Sequence, residues 1–200
     1  RGTNGNLSSP HLAKSEYNDA DYHVGPIISN KQGNKLYVSR TYVGIKDRKI
    51  EIGGKRKYKT SNIELFIYTA NNGGWTVESF PYNNVKEYSL GHACLSPDEQ
   101  TLYYVSDMPG SIGETDIWYS ELGSDGKWGP PQNAGTSLNT IGSEMFPDMG
   151  ADGKLYYSSD GLPGMGALDI FSAAGSKNTW TKPVNMHYPI NSPADDFAFV

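Results

Sequence analysis

Five carboxylates recur at matched places in this chain. Asp107 and Asp160 close two near-identical runs, Gln100-Thr-Leu-Tyr-Tyr-Val-Ser-Asp107 and Gly153-Lys-Leu-Tyr-Tyr-Ser-Ser-Asp160, while Glu64, Asp116 and Asp169 open Glu64-Leu-Phe66, Asp116-Ile-Trp118 and Asp169-Ile-Phe171. Carboxylates gathered in this way are the hard oxygen donors that hold calcium. The same short side chains also accept backbone N–H groups at strand ends and fix turns. Recurrence favours the second role, because a turn must be built in every repeat whereas a site need be built only once. Arg40 is read as standing where the first repeat would carry its Asp, which further breaks any ring of metal ligands.

Other chemistry is sparse. No HExxH, GxSxG, P-loop or CxxC pattern occurs, so the common hydrolase and metal signatures are missing. The glycines of Gly161-Leu-Pro-Gly-Met-Gly166 resemble a phosphate cradle, but such a cradle needs a following helix, and Asp169-Ile-Phe-Ser172 reads as a strand. Cys94 is the single cysteine, which excludes an internal disulfide framework and marks a small buried hydrophobe. His11 and His187 fall in loops or outer strands with no partner at ligand spacing. No metal or other cofactor is expected.

The elements that carry these residues follow from composition and repetition. Only 36% of the 200 residues are apolar and mean hydropathy is −0.57, yet there are 14 tyrosines, 23 glycines and 12 prolines. Such a mixture suits strands and turns, not a helical bundle, and its apolar runs are too short to span a membrane. Trp128, Pro131, Asn133 and Asn139 return 52 positions later as Trp180, Pro183, Asn185 and Asn191. A weaker copy holds Lys35-Leu-Tyr-Val-Ser39, Glu64-Leu-Phe66 and Trp75, with 14 extra residues between Leu36 and Leu65. Each unit reads as four short strands, in the second unit His92–Ser96, Thr101–Ser106, Asp116–Glu121 and Trp128–Ala134. Four strands in about 52 residues is the arithmetic of a propeller blade.

The fold class expected is therefore all-β, a β-propeller of four-stranded blades with about three full blades and partial blades at both ends. Residues 1–18 supply the last strand of a preceding blade, 19–89 a blade with a basic hairpin inserted near 44–59, 90–140 and 141–192 two more blades, and 193–200 the first strand of the next. His23, His92, Glu144 and Asp196 fall near the starts of the innermost strands and are candidate channel-lining residues. Trp75, Trp128 and Trp180 recur once per blade, as packing residues between blades would. The insertion is the feature that does not repeat. Lys46, Arg48, Lys49, Lys55, Arg56, Lys57 and Lys59 outnumber Asp47 and Glu51 within a chain of net charge −5. Arg48–Ile52 and Lys55–Tyr58 read as strands joined by a two-residue Gly53-Gly54 turn, prolonging the second and third strands of the blade. These seven cations are candidate partner-binding residues; the alternative is a hairpin whose lysines blunt its free edges. Nucleic acid is not an expected partner, because the acidic body repels phosphates.

The string Gly91-His-Ala-Cys-Leu-Ser-Pro-Asp-Glu-Gln-Thr-Leu-Tyr-Tyr-Val-Ser-Asp107, followed by Gly113-Glu-Thr-Asp-Ile-Trp118, resembles the TolB-like, WD-repeat-like propeller repeat. Trp180-Thr-Lys-Pro-Val-Asn185 and Pro189-Ile-Asn-Ser-Pro-Ala-Asp-Asp196 resemble the propeller of Bacteroidetes OmpA-family envelope proteins, including those linked to type IX secretion and gliding. The resemblance implies a larger propeller of which these residues are a portion. It also implies a periplasmic, outer-membrane-associated scaffold for protein partners, with any peptidoglycan link made through a domain not present here. The function expected is thus non-enzymatic protein interaction in the bacterial cell envelope, as in a secretion or motility complex. A carbohydrate or peptidoglycan binder, and an accessory domain of a propeller hydrolase, are the alternatives.

Overall fold

The computed structural model describes residues 22–42, 49–52, 56–59 and 61–199, with 49–52 and 56–59 described by their backbone alone. The strand expected within 1–18 lies outside these residues. Three antiparallel sheets follow one another along the chain, and no helix occurs among the described residues. The first sheet has β1 (Val24–Ser29), β2 (Lys35–Thr41), β5 (Ile63–Asn71) and β6 (Gly74–Ser79) in that order. Between β2 and β5 lies a separate two-stranded ladder, β3 (Lys49–Ile52) with β4 (Arg56–Lys59). The second sheet has β7 (Leu90–Leu95), β8 (Thr101–Ser106), β9 (Asp116–Glu121) and β10 (Gln132–Asn133). In the third, β11 (Glu144–Met149), β12 (Lys154–Ser159) and β13 (Asp169–Ser176) meet an outer strand split into β14 (Thr179–Trp180) and β15 (Val184–Asn185).

Three expectations, two on the hairpin and one on a fourth strand, need correcting. The hairpin forms, but Ile52 pairs with Arg56, so three residues separate the strands instead of two. Its ladder is distinct from that of β2 and β5 among the described residues. The fourth strand of the second unit shrinks to Gln132–Asn133 plus an isolated bridge between Leu122 and Trp128, because Pro130 and Pro131 offer no N–H to a ladder. Asp195–Phe199 has no ladder partner among the described residues, although Phe197 stacks on Phe146 with ring centroids 5.2 Å apart.

The middle sheet is buried on both faces, and every residue of β8 is buried. Toward the first sheet, Leu102, Tyr104, Trp118 and Trp128 pack with Tyr37, Leu65 and Phe80. Toward the third sheet, Cys94, Tyr103, Ile117 and Tyr119 pack with Leu155, Tyr157, Phe171 and Trp180. The wedge between sheets repeats in detail. Tyr37 meets Trp128 edge-on at 6.1 Å, and Tyr103 meets Trp180 edge-on at 5.7 Å. Edge-to-face geometry places the positive rim of one ring on the negative face of the other. Each inner strand also carries one extra residue, between Val24 and Ile27, Gly91 and Cys94, and Met145 and Asp148. His92 (φ 49°), Phe146 (φ 51°) and Ala198 (φ 59°) share a left-handed conformation at equivalent places, a backbone state that L residues adopt only under constraint.

One asparagine fastens each sheet. Asn139 accepts the N–H of Ile117 at 2.8 Å and donates to its carbonyl at 2.9 Å; Asn191 does the same to Ile170 at 2.8 and 2.9 Å. Asn83 repeats the clasp on Leu65 at 3.0 and 2.7 Å. Removing a carboxamide of this kind strands a buried backbone N–H. Asn139→Ala is therefore expected to lower stability by about 2–3 kcal/mol, read as a reduced urea midpoint at unchanged slope. A loss below about 0.5 kcal/mol would show that water replaces the clasp.

Candidate functional site

Two of the recurring acids, Asp116 and Asp169, serve the loops. Asp116 accepts the N–H groups of Ile112 (2.7 Å) and Gly113 (3.1 Å) and the carboxamide of Asn133 (2.6 Å). Asp169 accepts from Met165 and Gly166, both at 2.9 Å. Each carboxylate thereby closes the loop that precedes it, with the geometry of a turn. Asp107 accepts Ser89 N–H at 2.6 Å, and Asp160 accepts Ser143 N–H at 2.7 Å, so these two tie the start of the inner strand to the end of the second. In the first sheet that bond comes from Thr41, whose hydroxyl accepts His23 N–H at 2.9 Å. This corrects the place given to Arg40. The ladders set Arg40 opposite Glu64, Ser106 opposite Asp116 and Ser159 opposite Asp169. Arg40 thus replaces a serine, and Thr41 replaces the aspartate. Its guanidinium lies 3.5 Å from the centroid of the Phe66 ring and 3.6 Å from Glu64, a cation held between a π face and a carboxylate.

The four channel candidates separate into two pairs. Glu144 is 0% exposed, and Thr140 N–H, Thr140 hydroxyl and Ser159 hydroxyl all donate to it at 2.7–2.8 Å. Burial raises its pKa above the ordinary carboxylate range, and these three donors oppose the rise. Asp196 repeats the device on Ser192, accepting its N–H at 2.6 Å and its hydroxyl at 3.2 Å. His23 and His92 instead line one small cavity of about 100 Å³ together with Ser39, Arg40 and Ile63. Neither histidine is equivalent to Glu144, since His23 pairs with Thr41 as Ser143 pairs with Asp160. His92 lies at the bulge, where Phe146 lies in the third sheet, and the two rings stack with centroids 4.2 Å apart and 14° between planes.

A larger cavity, of about 200 Å³, opens where the bulges converge, with Pro26, His92, Phe146, Pro147, Asp148 and Phe199 among its walls. Sequence spacing did not single out this constellation, and Asp148 and Phe146 belong to no motif. The signal that could have found them is the repeat itself, which puts Pro26, His92 and Phe146 at one place in three inner strands. Among the basic residues, Lys46, Arg48 and Lys55 lie outside the described residues, while Lys49, Arg56, Lys57 and Lys59 are placed by their backbone on β3 and β4. Trp128 and Trp180 are buried and offer no stacking platform to a sugar, whereas Trp75, expected to pack in the same way, is only half-buried on β6 and joins neither core cluster. Cys94 is buried too, which raises its thiol pKa well above the usual value. Among the described residues no group of three or more His, Cys, Asp or Glu could hold a metal ion, and no helix is long and apolar enough to cross a membrane.

Burial pushes the His92 imidazole from 6.5 down to about 4. The folded chain then refuses a proton that the unfolded chain accepts, so the stability this residue contributes is full above pH 6.5 and lost as pH falls through 4. His92→Phe installs the ring found at Phe146 and removes the titration. The stability lost between pH 7 and pH 4 is expected to shrink by roughly 2 kcal/mol relative to the parent chain, read by urea unfolding at each pH. Parallel pH profiles would place the acid sensitivity elsewhere.

No family model and no curated protein matches the chain. Among solved structures it is similar to a puromycin hydrolase, at 13% identity and a TM-score of 0.48 over 80% of this chain and 23% of that one. It is also similar to a Mycobacterium tuberculosis puromycin-hydrolyzing peptidase, at 15% identity and a TM-score of 0.46 over 84% of this chain and 24% of that one. The chain spans about a quarter of the length of these structures.

Proposed function

We propose that the three sheets are successive blades of a β-propeller, divided at 19–89, 90–140 and 141–192, and that this propeller is a non-enzymatic scaffold for protein partners in the bacterial envelope. Four-stranded sheets ordered from inner to outer strand and packed face to face support the architecture. The envelope assignment rests on the resemblance carried by Trp180–Asn185 and Pro189–Asp196. The observation that carries the scaffold reading is apolar exposure on one rim. Ile141 is 86% exposed beside the loop that bears Ile112, itself 39% exposed, and Met165 occupies the equivalent loop of the next sheet at 47%. The acids below these residues are already engaged by loop N–H groups, so the rim presents apolar side chains held on rigid turns. Large exposed apolar residues grouped on rigid loops are a mark of protein contact.

Two changes test the reading. The double variant Ile112→Asp, Ile141→Asp is expected to leave stability within about 0.5 kcal/mol of the parent while abolishing in-cell photocrosslinks from probes placed on this rim. Deletion of Lys46–Lys59 is expected to leave unfolding nearly unchanged while removing a separate crosslink. Crosslinks that survive both changes would sink the scaffold reading, and a deletion that unfolds the chain would make the hairpin architectural.

A further inference from the structure

Positions that repeat serve the architecture, so a departure from the repeat within a shared cavity carries information. One step beyond the bulge, each inner strand places a residue opposite the tyrosine of the second strand: Ile28 opposite Tyr37, Cys94 opposite Tyr103, and Asp148 opposite Tyr156. Two of the three are apolar. The third is a carboxylate on the wall of the 200 Å³ cavity, which Ile28, His92, Phe146 and Phe199 also line and to which no Lys or Arg contributes. Asp148 has no ion-pair partner among the described residues, and burial raises its pKa. Its bond to the backbone N–H of Met149 offsets part of the burial but brings no opposite charge, so a cation entering the cavity would be favoured.

The remaining walls suit that visitor. Phe146 is stacked on both His92 (4.2 Å) and Phe197 (5.2 Å). His92 and Phe199, the latter set against Tyr156 at 4.9 Å, each have a single ring partner among the described residues and leave one face for a cation beside the carboxylate. Aromatic faces attract cations, and the attraction grows when water is excluded. His92 stays uncharged at neutral pH, so the cavity wall holds no competing cation. The chain's net charge of −5 adds a field of the same sense. We propose that this cavity is a binding site for an organic cation, an ammonium or guanidinium group brought by a free amine or by a Lys or Arg side chain of a protein partner, with Asp148 as counter-ion.

Calorimetric titration of the chain at pH 7 tests this with benzylammonium and with benzyl alcohol, which matches its shape without the charge. Benzylammonium is expected to bind at least about tenfold more tightly than the alcohol. Asp148→Asn is expected to erase that difference, and Asp148→Cys, which copies Cys94 of the second sheet, to do the same. Capped Gly-Lys-Gly and Gly-Arg-Gly peptides separate the sources. A peptide that outbinds benzylammonium assigns the site to a partner's side chain, and the reverse order assigns it to a free amine. Equal affinity for benzylammonium and benzyl alcohol would overturn the proposal, as would a preference that survives the loss of Asp148. The readout needs no partner protein, so its failure leaves the rim crosslinks as a separate question.

Discussion

The carboxamide clasps of Asn83, Asn139 and Asn191 solve a problem that the outer strands create by ending one residue too soon. Leu65, Ile117 and Ile170 are buried near the start of the third strand, with backbone groups that point toward the outer edge of the sheet. An outer strand that ran on would pair them, yet β6, β10 and β15 end opposite Phe66, Trp118 and Phe171, one residue short. A carboxamide offers the donor and acceptor of a peptide unit, so one side chain stands in for a missing strand residue. The carbonyls of Leu65, Ile117 and Ile170 each also accept a backbone N–H, from Phe80, Ala134 and Met186. Both lone pairs are then used and the buried edge is satisfied. Without the clasp, the edge facing the next sheet would need water in the place where Tyr157 and Leu138 now pack.

Once that edge is dry, the remaining polar groups can be local. Asn133 accepts from Asn139 at 2.9 Å and donates to Asp116, and Asp116 holds the loop before β9. Clasp, loop and outer strand are therefore one hydrogen-bonded unit in the second sheet. In the third, Asn185 accepts from Asn191 at 2.8 Å but donates to Pro163 carbonyl, while Asp169 relies on Met165 and Gly166. Neighbouring units are tied by Glu144 N–H to Thr115 carbonyl at 2.8 Å, and by Asp196 N–H to Leu168 carbonyl at 2.7 Å. The second-sheet network is fully paired and so specifies one arrangement more sharply than apolar contact alone, whereas in the third sheet Asp169 Oδ1 has no partner among the described residues.

Much of this was legible because repetition reports what each unit must contain. The apolar second strands, the turn residues after Ser96 and Gly150, and the recurrence of Trp128 as Trp180 all fell where the structure puts them. Asn139 and Asn191 were visible as a recurring pair, but Asn83 was not. It reaches Leu65 from 18 residues away, against 22 and 21 in the other sheets, so spacing hides it. Arg40 was misplaced by one residue because its strand ends in Thr41, and a hydroxyl does there what a carboxylate does elsewhere. Side-chain chemistry was preserved while residue type was not. The bulges escaped notice for a different reason. An extra residue in a strand leaves no mark in apolar alternation when Gly25-Pro26, His92-Ala93 and Phe146-Pro147 are so unlike one another.

That unlikeness separates scaffold from site. The left-handed backbone at His92, Phe146 and Ala198 is shared, so its strain belongs to the architecture and constrains only the main chain. Side chains at the same places are free to differ, because they project into a common cavity and leave the ladder intact. A repeat fold thereby holds a set of equivalent positions whose identities can change without loss of the sheets. Ile28, Cys94 and Asp148 hold equivalent ladder positions, and of these Ile28 and Asp148 line the cavity while Cys94 packs in the core. Chemistry in this chain is therefore to be sought in the positions where the units disagree, since the positions where they agree are already spent on folding.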